Sequence, residues 1–201
     1  MRSTTVCGPC AGLTTEVALV LFTGGARSGK SRLAVELASR QPRPVVVVAT
    51  AEALDEEMAE RIREHREARP AHWTTVEEPL ELERAVGDAP AEAYLVIDCL
   101  SLWVANLMGR ELPTEQILSR SQRAASLVAA RTAGAVVVTN EVGSGIVPDS
   151  ALGRRFRDVL GLVNAGWGAE ATRVGLVVGG RLLPLSKADD IWAKDEGWTT
   201  S

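Results

Sequence analysis

Gly24-Gly25-Ala26-Arg27-Ser28-Gly29-Lys30-Ser31 is the most telling stretch of the chain. The octet fits the phosphate-cradling pattern G-x-x-x-x-G-K-[ST]. A β-type run, Val17-Ala18-Leu19-Val20-Leu21-Phe22-Thr23, leads into it. A helix-type run, Arg32-Leu33-Ala34-Val35-Glu36-Leu37-Ala38, leads out. This strand–loop–helix setting separates a working phosphate loop from a glycine-rich turn. Glycines let successive backbone N–H groups face a phosphate, and the helix N-terminus adds its positive dipole end. In such a loop Lys30 reaches the β- and γ-phosphates, and the Ser31 hydroxyl sits on Mg²⁺.

Apolar runs recur at Val17–Thr23, Val45–Thr50, Tyr94–Asp98, Ala135–Asn140 and Val174–Val178. They are continuous rather than alternating, as expected of strands buried on both faces of a parallel sheet. Helical segments separate them: Ser31–Arg40, Leu54–Ala68, Leu80–Val86, Leu100–Met108, Thr114–Ala133 and Asp149–Glu170. The alternation predicts βαβ units. Gly179-Gly180 predicts a turn between Val174–Val178 and Arg181–Leu185. The expected class is α/β, a P-loop NTPase-like domain with a mostly parallel sheet flanked by helices and a short C-terminal hairpin. It should span residues 17–185, between a tail at 1–16 and an extension at 186–201 that carries Trp192 and Trp198.

The chain has 201 residues, enough for one sizeable core and few for two. Its net charge is −4, and no lysine–arginine block stands out, so no nucleic-acid partner is expected. No run approaches the ~18 apolar residues of a membrane span. The short apolar run before the phosphate loop does not read as a signal peptide. Three cysteines, an odd number, argue against a secreted disulfide framework, and a cytoplasmic location is expected. Cys7-Gly8-Pro9-Cys10 has the spacing of a redox motif but precedes any strand, so it reads as an incidental tail. Cys99 reads as a small core residue.

A phosphate loop calls for an acidic residue at the end of another buried strand, to help hold Mg²⁺. Leu95-Val96-Ile97-Asp98 supplies one at the ligand crevice of an open α/β sheet. A helix-capping role for Asp98 is the rival reading. Val138-Thr139-Asn140-Glu141-Val142-Gly143, continuing to Pro148, is a further polar strand end. Substrate or γ-phosphate contact and an ordinary turn are both open for it. The two histidines are His65 and His72. From its charged surroundings alone, His65 reads as a solvated surface residue, and His72, before Trp73, as structural.

Several stretches together resemble one family. They are Thr23–Arg32, Val48-Ala49-Thr50-Ala51, Asp55-Glu56-Glu57-Met58, Arg61-Ile62, His65-Arg66 and Arg69-Pro70-Ala71-His72-Trp73-Thr74-Thr75. Val138–Pro148, Arg154-Arg155-Phe156-Arg157-Asp158 and Val163-Asn164 complete the set. In order, from about Leu19 to Leu185, they are similar to the adenosylcobinamide kinase / adenosylcobinamide-phosphate guanylyltransferase family of cobalamin biosynthesis. The resemblance implies phosphorylation of the aminopropanol hydroxyl of adenosylcobinamide by ATP or GTP. It also implies transfer of GMP from GTP to adenosylcobinamide phosphate through a guanylylated histidine. That role falls on His65, with His72 as the fallback, and it replaces the surface reading. A neutral imidazole nitrogen can attack the α-phosphorus. Arg63 and Arg66 favour the neutral form, and Glu64 and Glu67 oppose it.

By the same carry-over, the nucleotide contacts Gly24, Gly25, Ala26, Arg27, Ser28, Gly29, Lys30 and Ser31. It further contacts Thr50, Ala51, Glu52, Glu67, Ala68, Arg69, Pro70, Glu77 and Asp98; Ser31 and Asp98 are the metal-holding residues by the phosphate-loop reading above. The resemblance also implies a homo-oligomer, a trimer or a multiple of one. Two other readings compete: a single-function small-molecule kinase, and an NTP-binding regulatory module. Guanylylation of His65 distinguishes the first from both.

Overall fold

The apolar runs form the parallel centre of a seven-stranded sheet in the computed structural model, which describes residues 19–187. In chain order the elements are β1 (Leu19–Thr23), α1 (Lys30–Ala38), β2 (Val45–Ala49), α2 (Glu56–Glu67), β3 (Thr74–Glu77), α3 (Leu82–Asp88) and β4 (Tyr94–Asp98). There follow α4 (Leu100–Gly109), α5 (Thr114–Ala129), β5 (Ala135–Val138), α6 (Ala151–Glu170), β6 (Arg173–Val178) and β7 (Arg181–Leu185). The strand order is β3-β2-β4-β5-β1-β6-β7. All pairs are parallel except β6 with β7, the expected hairpin about Gly179-Gly180. Cys7, Cys10, Val17, Ala18, Trp192 and Trp198 lie outside the described residues. Among those described, no helix is long and apolar enough to cross a membrane.

The two-sided burial read from β2, β4 and β5 has a simple cause: the pleat sends alternate side chains to two separate cores. Leu21, Val48, Leu95, Ile97 and Val137 join Trp103, Leu107, Leu160 and Trp167 of α4 and α6 on one face. Phe22, Val47, Val96 and Val136 join Ala34 and Ala38 of α1 on the other. Helix α2 contributes no buried residue to either.

Sequence reading misses β3. Its residues are Thr74-Thr75-Val76-Glu77, mostly exposed, with no apolar run to announce them. It is an edge strand, held by its backbone pairing with β2 from Val46↔Thr74 to Ala49↔Glu77 and by buried Trp73 at its start. Helix boundaries shift as well. Asp55 is the N-cap of α2, so that helix begins at Glu56 rather than Leu54. Helix α5 stops at Ala129, and the chain turns through Gly134 (φ 82°) into β5.

The register positions the site. Ala49 pairs with Asp98, Asp98 with Val138, and Val138 with Phe22. The C-terminal ends of β2, β4, β5 and β1 therefore form one row, and the loops that leave them share one crevice, the usual ligand edge of such sheets.

Candidate active site

The phosphate loop leaves β1 at Gly24, and its shape depends on a close approach. Gly24 has φ 149°, and a Cβ there would stand 2.2 Å from the Val177 carbonyl oxygen. Gly29, at φ 98°, is the N-cap of α1 and supplies no side-chain cap. No acidic residue occupies the first turn of α1, so the helix N-terminus stays positive and open to an anion. Neighbouring elements hold the loop from outside. The Gly180 N–H donates to the Ser28 carbonyl at 3.0 Å, and the Glu141 N–H to the Gly24 carbonyl at 3.0 Å.

Buried Lys30 lies across the loop and donates to the carbonyls of Gly24 (2.8 Å) and Gly25 (2.6 Å). Burial lowers the pKa of its ammonium, against the opposing pull of Cys99 and Asp98. Ser31 on the next position donates through Oγ to Asp98 Oδ1 at 3.1 Å.

Asp98 is the junction of the site. It caps no helix: α4 begins at Leu100, and Cys99 is its N-cap. Its second oxygen, Oδ2, lies 3.2 Å from His65 Nδ1 and 3.8 Å from the Arg69 guanidinium. Arg69 is only 9% exposed, and burial lowers its pKa while Asp98 opposes that shift. Helix α2 thus reaches Asp98 through His65, and the turn after it does so through Arg69; Asp98 links both to Ser31.

The other expected residues divide. Thr50 is fully buried; its hydroxyl donates to the Cys99 carbonyl (2.6 Å) and accepts from the Cys99 N–H (2.9 Å), which joins the ends of β2 and β4. Ala51, half-buried, continues that loop. Glu52 pairs with Arg110 at 2.8 Å through one oxygen, and its other, Oε2, is buried without a hydrogen-bond partner among the described residues. Glu77 pairs with Arg66 at 3.4 Å. Glu67 and Ala68 are exposed, and Pro70 is half-buried. His72 is exposed too; the buried partner at that turn is Trp73. Cys99 is buried beside Asp98, and burial pushes its thiol up to about 11, so it stays protonated and unreactive at neutral pH.

Two asparagines went unnoticed as supports. Asn106, buried in α4, donates to the carbonyls of Thr50 (2.7 Å) and Pro79 (3.2 Å) and so fixes the loops after β2 and β3. A lone amide in the apolar run Leu100–Met108 was its signal. Asn164 of α6 accepts from Thr139 Oγ1 at 2.6 Å and donates to the Asn140 carbonyl at 2.9 Å. Glu141 turns its carboxylate onto its own loop, accepting from the N–H groups of Gly143 (2.5 Å) and Ser144 (3.2 Å). Arg154 holds the far end through the carbonyls of Pro148 and Asp149. Between these anchors Ile146 is 95% exposed.

A phosphate loop opening a helix, on a parallel sheet with an acidic strand end beside it, defines a nucleotide-handling α/β protein of the P-loop type. Solved structures agree at the level of fold. A prototypical ATPase from the type III secretion system of pathogenic bacteria superposes with a TM-score of 0.50 at 9% identity, covering 88% of this chain and 60% of that one. A protein of Pyrococcus horikoshii OT3 gives 0.51 at 10% identity, covering 87% and 88%.

The sequence comparisons are more specific. The family described as cobinamide kinase / cobinamide phosphate guanyltransferase matches residues 20–185. The bifunctional adenosylcobalamin biosynthesis protein CobP of Pseudomonas aeruginosa is 42% identical over 167 residues, 82% of this chain and 95% of that protein. The bifunctional adenosylcobalamin biosynthesis protein CobU of Escherichia coli K12 is 42% identical over 175 residues, 81% of this chain and 96% of its own. The chain belongs to the cobinamide kinase / cobinamide phosphate guanyltransferase family and is a transferase.

Proposed function

We propose that this enzyme phosphorylates the aminopropanol hydroxyl of adenosylcobinamide and then transfers GMP from GTP to the resulting phosphate, with His65 as the guanylylated nucleophile. One observation carries the reading of the site. The two oxygens of Asp98 face Ser31 of the phosphate loop at 3.1 Å and His65 at 3.2 Å. A histidine on a helix with no buried residues is thereby drawn to the place where a polyphosphate would bind.

The loop N–H groups and Lys30 bind and orient the polyphosphate of ATP or GTP. Arg69, buried and 3.8 Å from the Asp98 carboxylate, adds a fixed positive charge beside it. Ser31 and Asp98 offer hard oxygen donors 3.1 Å apart at a helix N-terminus. That set suits Mg²⁺, which takes one or two protein oxygens and fills its shell with phosphate and water. When bound, Mg²⁺ would neutralise charge on the phosphates. Splitting GMP transfer into two displacements lets His65 accept the nucleotide before the corrinoid phosphate takes it. The loop at 139–148 is the proposed corrinoid contact. The proposed setting is cytoplasmic, and the proposed assembly is a homotrimer or a multiple of one.

Incubation with α-labelled GTP followed by denaturation should leave acid-labile, alkali-stable label on the wild type and none on His65→Ala. Phosphorylation of adenosylcobinamide by His65→Ala should persist. Absence of label on the wild type, with phosphorylation intact, would leave a kinase without the covalent step.

A further inference from the structure

We infer that Asp98 is a positioning residue for His65 and dictates which ring nitrogen becomes guanylylated: Nε2. The inference rests on the reading of His65 as the nucleophile and concerns how that nucleophile is presented.

A carboxylate has only acceptors, so the imidazole nitrogen facing it must carry the proton. His65 Nδ1 lies 3.2 Å from Asp98 Oδ2, so Nδ1–H donates and the lone pair resides on Nε2. Among the described residues no hydrogen bond reaches Nε2. Asp98 is itself held, at 13% side-chain exposure, by Ser31 on Oδ1 and Arg69 near Oδ2. It therefore cannot turn away to follow the ring. His65 is 42% exposed and sits in the last turn of α2, where little besides Asp98 restrains it. A ring so placed, without a partner on Nδ1, would offer either nitrogen. Orientation of one ring nitrogen by a bond to the other is the usual way a histidine's tautomer is selected.

The step balances as follows. The Nε2 lone pair attacks the α-phosphorus of GTP and forms the N–P bond. The bond from that phosphorus to the α,β-bridging oxygen breaks, and pyrophosphate leaves with the electron pair. Nδ1 keeps its proton throughout, so the ring of the adduct is cationic. Asp98 and the negative end of the α2 dipole both face that charge. In the second step an oxygen of the acceptor phosphate attacks the same phosphorus. The N–P bond breaks, its electrons return to Nε2, and His65 is regenerated in the starting tautomer.

Phosphorus–proton NMR on the guanylylated peptide, released by proteolysis at alkaline pH, separates Nε2 from Nδ1 adducts. The wild type should give the Nε2 adduct alone. In Asp98→Asn the guanylylation rate should fall by about 10- to 100-fold, and Nδ1 adduct should appear. Asp98→Glu, which keeps a carboxylate, should restore the Nε2 adduct. Weakened metal binding in Asp98→Asn would slow the reaction but would not move the adduct to the other nitrogen. A wild-type adduct on Nδ1, or an Asp98→Asn protein whose adduct stays wholly on Nε2 at whatever rate, overturns the inference. Label absent from His65 overturns the histidine reading itself, and the positioning role with it. The wild-type spectrum alone decides the nitrogen even where a variant fails to fold.

Discussion

Helices α1 and α2 both bring chemistry to Asp98, and they do so from opposite ends. Helix α1 presents its N-terminus. That end has a glycine cap, no capping side chain and no acid in its first turn, so its N–H groups remain available to a phosphate. Helix α2 has its N-terminus closed. Asp55 accepts from the Met58 N–H at 2.7 Å, and Glu56 and Glu57 fill the first turn. It contributes its C-terminal turn instead, with His65 and Arg66 against the negative dipole end. The anchoring differs as well. Ala34 and Ala38 bury α1 against the sheet, whereas no residue of α2 is buried. The lesson is a division of labour. A site for anions is built from backbone on a rigid helix, and a reactive side chain is carried on a helix tied down at one corner.

Lys30→Ala tests the α1 side most severely. Removing the buried side-chain charge of the loop should reduce both transfers on the order of 10²- to 10³-fold, read as kcat with saturating nucleotide. Guanylylation of His65 at the wild-type rate in this variant would show that α2 works without the loop. Next in size is Gly24→Ala. A Cβ 2.2 Å from the Val177 carbonyl, at φ 149°, should destabilise the fold by roughly 2–4 kcal/mol. A thermal melt measures it, and an unchanged Tm would mean that the β6–β7 hairpin does not clamp the loop. The smallest effect is expected from Asp55→Ala, which removes the α2 cap. It should weaken that helix by about 1 kcal/mol, a loss of hydrogen-exchange protection of about fivefold. The loss should be confined to α2 amides, with those of α4 unmoved. Equal loss in α4 would show α2 to be part of the global unit.

The legible parts of the fold share a cause. Val45–Val48, Leu95–Ile97 and Ala135–Val138 are apolar because they lie between two cores, so pattern alone exposes them. Strand β3 escapes because an edge strand needs only a neighbour's backbone, and Thr74–Glu77 carry no burial signal. The same contrast runs through the site. Gly24–Ser31 is legible because a phosphate loop is a local structure, encoded in eight consecutive residues. Asp98 was visible as a polar strand end, but capping and site roles were equally local; the β4 register and the 3.1 Å contact with Ser31 separate them. His65 by pattern alone is one more polar residue on a charged helix face, and family resemblance rather than periodicity singled it out. Asn106 is an ordinary letter in the sequence until packing buries it.

A P-loop α/β transferase and its family are legible in the chain, because glycine conformation, strand burial and motif order are written in short stretches of it. That one carboxylate on β4 meets Ser31 through one oxygen and His65 through the other emerges from folding alone. Those three residues are separated by long stretches of chain. Their meeting depends on strand register and on where an otherwise unburied helix comes to rest, and neither is a local property.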